Sequence, residues 1–231
     1  MFNLNEYELK ARKFPALITL LPVLLFAHFY LYKVIPELLN SILFTKVVGD
    51  VSVVLVLLYL VEQVSRFMSK KFLQDDLFKN ELYFPTTSFL LYLDNEYTAG
   101  RKEKIREKIK KDFDIELLNA ENEKNDENEA RKRIKEAVDL IRNKVKGGHL
   151  ILQHNIEYGF VRNLIGGMII SLPVSFFSAF FFIYEKNNPA AISSMILFLF
   201  YSFIFLTKKN TLLYFARNYA NILYNEYLTS N

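Results

Sequence analysis

The chain has no cysteine, only 7 glycines, 6 prolines and 3 histidines among its 231 residues. Without thiols there is no disulfide, no thiolate zinc site, no iron–sulfur cluster and no cysteine nucleophile. So little glycine and proline excludes a collagen-like or linker-dominated architecture. His28 lies inside an apolar run, and His149 and His154 stand at the wrong spacing for two ligands on one helical face. No metal site and no cofactor are expected. A Gly-x-Ser-x-Gly elbow, a Walker loop, a dinucleotide fingerprint and a paired-carboxylate motif are also missing, so the chain does not read as an enzyme.

What is present is apolar and segregated. Hydrophobic residues make up 52% of the chain, yet 23% of residues are charged. A mean hydropathy of +0.11 at that charge content requires apolar residues gathered into blocks, as membrane proteins are built. The 22 Phe and 14 Tyr exclude intrinsic disorder. Apolar runs cover residues 14–32, about 42–61, 164–184 and 189–206. A helix of about 20 residues rises about 30 Å, the thickness of a bilayer core, so four transmembrane helices are expected.

Lys10, Arg12 and Lys13 precede the first run, and Arg66, Lys70 and Lys71 follow the second. Arg162 precedes the third, while Lys208, Lys209 and Arg217 follow the fourth. The short connections hold few bases, so the positive-inside rule puts both termini and the long middle segment in the cytoplasm. The net charge of +4 is then the usual cytoplasmic excess. Residues 1–13 carry Glu6 and Glu8 among their bases and do not read as a cleavable signal peptide.

The predicted organisation has four parts: residues 1–61 as an N-terminal segment and helix pair, 62–163 as a cytosolic domain, 164–206 as a second helix pair, and 207–231 as a cytosolic amphipathic helix. Within the cytosolic domain, Ile105, Ile109 and Phe113 define one amphipathic helix. Ile134, Ala137, Val138, Ile141 and Val145 define another, starting near Asp126 and ended by Gly147 and Gly148. Residues 83–93, with Pro85 and a turn at 94–96, and residues 149–154 read as two strands, giving a small α/β domain. The tail places Leu212, Phe215, Ala216, Tyr219, Ile222, Leu223 and Tyr227 on one helical face, suited to the membrane surface or to another subunit.

Three groups of residues carry candidate chemistry. Thr86 and Thr87 offer hydroxyls and backbone donors to an anion, and Arg101, Lys102, Arg131 and Arg133 offer phosphate contacts. The competing reading is a helix surface of ion pairs, since Glu103, Glu107, Glu136 and Asp139 interleave with those bases. His154, Asn155, Arg162 and Asn163 lie in the segment joining the cytosolic domain to the third span, as a coupling element or as an interfacial belt. Asp50 and Ser52 are the candidate pore residues of the second span, against the competing reading of Asp50 as a helix cap at the non-cytoplasmic interface. Ser171, Ser175 and Ser178 give the third span a polar stripe.

Pro85-Thr86-Thr87 through Leu91 and Tyr158-Gly159-Phe160-Val161-Arg162-Asn163-Leu164 together resemble motifs of a family of small bacterial membrane effectors of anti-phage defence. The channel component of the Hailong system is the type most similar in layout. The resemblance implies the bacterial inner membrane. It also implies a nucleotidyltransferase partner whose oligonucleotide product holds the channel shut. The motifs name no catalytic residue. The sequence thus leads to a homo-oligomeric, ligand-gated membrane channel or pore-forming effector, a tetramer in the simplest ring, gated by a nucleotide or oligonucleotide. The alternative is a non-conducting membrane sensor or scaffold whose spans anchor a cytosolic binding domain.

Overall fold

The computed structural model describes residues 4–34 and 43–230, with side chains at 6–30 and 54–230. Every element among them is helical. Helix α1 (Leu4–Glu8) passes through a π turn, π1 (Leu9–Lys13), into α2 (Phe14–Val34). Helix α3 (Leu43–Ser69) leads through a second π turn, π2 (Lys70–Gln74), into α4 (Asp75–Phe78). Then come α5 (Pro85–Ser88), α6 (Ala99–Phe113), α7 (Ala120–Asn125) and α8 (Glu127–Lys144). Two long helices close the chain: α9 (His149–Tyr184) of 36 residues and α10 (Asn188–Thr229) of 42. They fall into an apolar unit, Asn5–Lys70 with Gly159–Lys209, and a charged unit, Met1–Leu4 and Lys71–Tyr158 with Asn210–Asn231.

Among the described residues three helical stretches, not the expected four, are long and apolar enough to cross a membrane: Glu6–Tyr30, His149–Tyr184 and Asn188–Thr229. The expected second span, about 42–61, falls on α3, whose side chains are described only from residue 54. From residue 54 onward an 18-residue stretch already meets Glu62, Arg66, Lys70 and Lys71. Asp50 and Ser52 fall in α3, but their side chains lie outside the described residues.

The apolar unit packs Ala16, Leu20 and Val61 with Leu57, Leu58 and Ile170. A second cluster joins Leu164, Met168 and Tyr201 to Ile18 and Phe160, and the Tyr201 hydroxyl donates to Ile18 O at 2.6 Å. Close helix crossings depend on glycine. A Cβ on Gly166 would collide with the Ser65 carbonyl and come within 2.9 Å of Ser69 N, and one on Gly167 would collide with Thr19. Small residues at such crossings let backbones approach, the packing mode that helices use in lipid. Around this core Leu55, Tyr59, Phe177, Ile183, Ile196, Phe203 and Leu206 stand exposed. A water-soluble surface does not carry that much apolar area.

Among its described residues the charged unit has helices and turns but no strand, so it is not the expected α/β domain. Residues 85–93 form α5 and a chain of turns. Pro85 sits at the first helical position, its ring already set for a helix, after an extended Phe84. Ser88 N and Phe89 N then bond back to Phe84 O and Pro85 O, each at 2.9 Å. Phe89, Leu90 and Leu91 are buried consecutively, which a strand with two different faces does not produce. The second expected strand, 149–154, is the first part of α9, where Leu152 N bonds Gly148 O at 3.1 Å. Without a partner strand neither segment has a ladder to join.

Helices α6 and α8 match their apolar periodicity, with Ile105, Ile109, Ile134, Ala137, Val138 and Ile141 buried. Thr98, Asn119 and Asp126 cap α6, α7 and α8 through their side-chain oxygens. The tail is not a separate amphipathic helix. It is the end of α10, and its apolar face (Leu212, Ala216, Tyr219, Leu223, Tyr227) is core of the charged unit rather than membrane surface.

Candidate functional site

Residues 90–94 of the charged unit expose no sheet edge, so their backbone groups need partners from elsewhere. Buried charged side chains supply them. Arg106 Nε and Nη2 donate to Leu90 O at 3.2 and 2.7 Å, and Nη1 donates to Leu118 O at 2.8 Å. Glu123, 1% exposed, pairs with Arg106 at 3.1 Å and accepts from Tyr92 N at 2.6 Å. Lys102, 3% exposed, donates to Leu91 O at 2.5 Å and also to Asp94 O. Burial lowers its ammonium pKa. These charges fix the turn that a strand ladder was expected to hold.

That arrangement decides most of the candidate anion contacts. Thr86 is buried with its carbonyl accepting from Tyr224, and Thr87 donates to Glu81 O at 3.0 Å. Lys102 is consumed as described. Arg131 is buried over the Tyr83 ring at 4.1 Å, paired with Glu127 at 2.7 Å and donating to Leu82 O at 2.9 Å. Arg101 and Arg133 stay half-exposed. Arg101 bonds Asn225 at 2.8 Å, and Arg133 pairs with Glu129 at 3.0 Å. The six residues therefore do not converge on one cradle. A polar cavity of about 330 Å³ lies beside Tyr92, lined by Glu103, Glu107 and Glu116 with Arg106 and Lys110. Its carboxylates disfavour a phosphate.

The tail locks into the same unit. Tyr97 donates to Asn221 Oδ1 at 2.7 Å with Arg101 stacked over its ring at 4.1 Å. Burial pushes the Tyr97 phenol up to about 12, with Arg101 pulling the other way. Burial likewise raises Tyr224 well above the usual phenol range.

Of the coupling residues, His154 Nδ1 lies 3.1 Å from a Glu157 carboxylate oxygen, and Asn155 and Arg162 are half-buried on α9. Asn163 is 1% exposed and does the most. Its Nδ2 donates to Ala11 O at 2.6 Å, and its Oδ1 lies 3.3 Å from the Ser69 hydroxyl. One α9 side chain thus ties the turn π1 and the end of α3. Ser171, Ser175 and Ser178 are buried, with hydroxyls returned to their own helix at Gly167 O, Ser171 O and Val174 O. They line no open path within the subunit. An apolar groove of about 480 Å³ opens beside α2 and α10, with His28 and Ser193 as its polar groups among Leu24, Phe29 and Ile196.

Among the described residues no group of three His, Asp or Glu is placed to hold a metal ion. Sequence reasoning missed Arg106, Glu123 and Ser69. Their types and spacing match ordinary helix-surface residues, and only tertiary packing reveals what they hold. The Gly166–Gly167 pair was a readable signal for the close crossing. No protein-family model, curated protein or solved structure matches the chain.

Proposed function

We propose that the chain is a homo-oligomeric membrane channel or pore-forming effector controlled from its charged unit. The observation that carries this reading is the division of α9 and α10. Each helix gives one end to the charged unit and the other to the apolar unit. A ligand biases a membrane pore only through its differential affinity for two states, which requires a binding unit joined to a span. Among the described residues the apolar unit offers no aqueous path, because its serine stripe is turned to its own helix and its exterior is apolar. Conduction therefore needs several copies around an axis, four in the simplest reading.

The start of α9 and the end of α10 belong to one unit, which supports a pair that enters and leaves the membrane from one face. In this reading the flanking Lys and Arg favour a cytoplasmic face holding both termini, and the resemblance supports the inner membrane of a bacterium. The resemblance to anti-phage effectors supports a role in bacterial immunity. It also supports a nucleotide or oligonucleotide ligand made by a partner nucleotidyltransferase. Arg101 and Arg133 are the candidate contacts left at the surface.

The second reading is a non-conducting membrane sensor or scaffold. It is favoured by the engagement of Lys102 and Arg131 in structure and by the inward, self-bonded serine stripe. The molar mass of the full chain in native-like discs, measured by light scattering, separates the two. A defined ring of subunits supports the channel. Monomer at every concentration removes it and leaves the anchor.

A further inference from the structure

Asn163 brings π1 and the end of α3 to one level of the apolar unit, through Ala11 O and the Ser69 hydroxyl. Helix α10 is tied to the same scale by the Tyr201 hydroxyl, which donates to Ile18 O. Phe29 and Tyr30 pack beside Ala190 and Ala191, so α2 and α10 run antiparallel. Seven residues back from Ile18 and seven on from Tyr201 each rise about 10 Å, which sets Lys208 level with Ala11. At this level three helices show the same pattern, an exposed aromatic ring beside bases. Phe14 follows Lys13 on α2, Phe67 follows Arg66 on α3 with Lys70 next, and Phe205 precedes Lys208 and Lys209 on α10. Rings flanked by cations mark a membrane–water interface. The cations are only partly neutralised within the unit. Lys10 pairs with Glu6 at 2.7 Å, and Lys13 lies 4.0 Å from Glu8. Arg66 instead faces Gln63 Oε1 at 3.4 Å, and Lys208 lies over the Phe205 ring at 3.6 Å. Glu62, one turn before Arg66, is buried at 5% exposure and forms no ion pair with it. Among the described residues no carboxylate holds Arg66, Lys70, Lys208 or Lys209. The α9–α10 turn at the other end of the unit carries one acid and one base, Glu185 and Lys186.

We propose that this level is a docking belt for anionic phospholipids, whose phosphates meet Arg66, Lys70, Lys208 and Lys209 while their acyl chains run along the exposed apolar faces of α3 and α10. Charge complementarity selects the occupant. A zwitterionic headgroup brings its own ammonium and leaves the four cations uncompensated, and a soluble phosphate has no chains for the apolar faces beside them. Each Lys or Arg near an anionic lipid surface favours it by about fivefold. The long stems of these side chains lie along apolar surface while their charged ends reach the headgroups. The belt goes beyond the channel reading, since it holds whether or not the chain conducts.

The test is native mass spectrometry of the full chain released from discs of equal parts phosphatidylglycerol and phosphatidylcholine, reading which lipids stay bound. The wild type should retain phosphatidylglycerol over phosphatidylcholine by about tenfold or more. Lys208→Gln with Lys209→Gln should cut that preference about tenfold, and Lys70→Gln alone should cut it about threefold to fivefold. Lys186→Gln removes the same charge at the other end of the unit and should leave the preference unchanged. Excess inorganic phosphate should not displace the bound lipid. A wild type without preference, or an equal fall in Lys186→Gln, overturns the belt. So does displacement by inorganic phosphate, or a wild type that holds a second copy through these bases and no lipid. A fall confined to variants of this level supports the belt. No ion flux enters the measurement, so a chain that never conducts removes the channel reading and leaves the belt to be decided by the lipids alone.

Discussion

Replacing Glu123 by Ala tests whether the buried charges of the charged unit hold structure or await a ligand. Glu123 is 1% exposed, and its two oxygens serve Arg106 at 3.1 Å and Tyr92 N at 2.6 Å. Removing one partner of a buried ion pair costs about 3–5 kcal/mol, because the other charge is left uncompensated. A stranded backbone N–H adds about 1–3 kcal/mol. Arg106 keeps its bonds to Leu90 O and Leu118 O, which offsets part of the loss. The expected destabilisation is about 4 kcal/mol. Glu123→Gln, which preserves shape and one acceptor, should cost about 2 kcal/mol. Glu129→Ala removes the half-exposed pair with Arg133 and should cost less than about 1 kcal/mol. Pulse proteolysis of the full chain in detergent across a urea series reads opening of the charged unit directly. A loss below about 1 kcal/mol for Glu123→Ala would refute the argument that these charges replace a strand ladder.

Other perturbations follow from the same packing. Asp114 ends α6 in the left-handed region at φ 56°, so Asp114→Gly should stabilise the charged unit by about 0.5–1 kcal/mol in the same assay. Gly166→Ala presses a methyl on the Ser65 carbonyl and should lower the melting temperature of the apolar unit, by about 1–3 kcal/mol of stability. Gly100→Ala meets nothing within 4 Å and should raise the stability of α6 by up to about 1 kcal/mol. Alkaline pH should unfold the charged unit. The unfolded phenol titrates near 10.0 while Tyr97 resists until about 12, so the folded state holds its proton longer. Stability is intact below the lower value and falls through that window, by up to about 3 kcal/mol for this group. Lys102, lowered by burial, acts oppositely, adding stability as pH rises toward 10.5. Tyrosinate absorbance against pH, with unfolding followed in parallel, checks the sign: ionisation of Tyr97 at the ordinary phenol value removes the argument.

Much of the fold was readable because it depends on local chemistry. The apolar runs at 14–32, 164–184 and 189–206 are helical, and α6 and α8 follow their 3.6-residue apolar pattern. Asp126 caps α8 where the capping signal stands. The reading failed where tertiary contacts choose the conformation. Phe84–Pro85–Thr86–Thr87 has strand-like composition, but its apolar side chains answer to burial around Tyr224, and its neighbours' carbonyls to Arg106 and Lys102. Residues 149–154 read as a strand because an apolar run as short as 150–152 does not distinguish a strand from the first turns of a long helix. The basic residues looked like a phosphate surface because charge alone does not reveal which carbonyl a buried guanidinium faces. Asn163 was legible as a polar residue at the start of a span, whereas its partners Ala11 and Ser69 are far away in sequence.

The central claim is that copies of this chain together conduct across a membrane. The most direct measurement is ion flux from sealed vesicles holding the purified full chain, recorded against protein density. The account predicts a protein-dependent leak that rises more steeply than linearly with density, as assembly of several subunits requires. Vesicles that stay tight at every density, with the protein inserted and folded, would contradict it and leave the chain as an anchor for its charged unit.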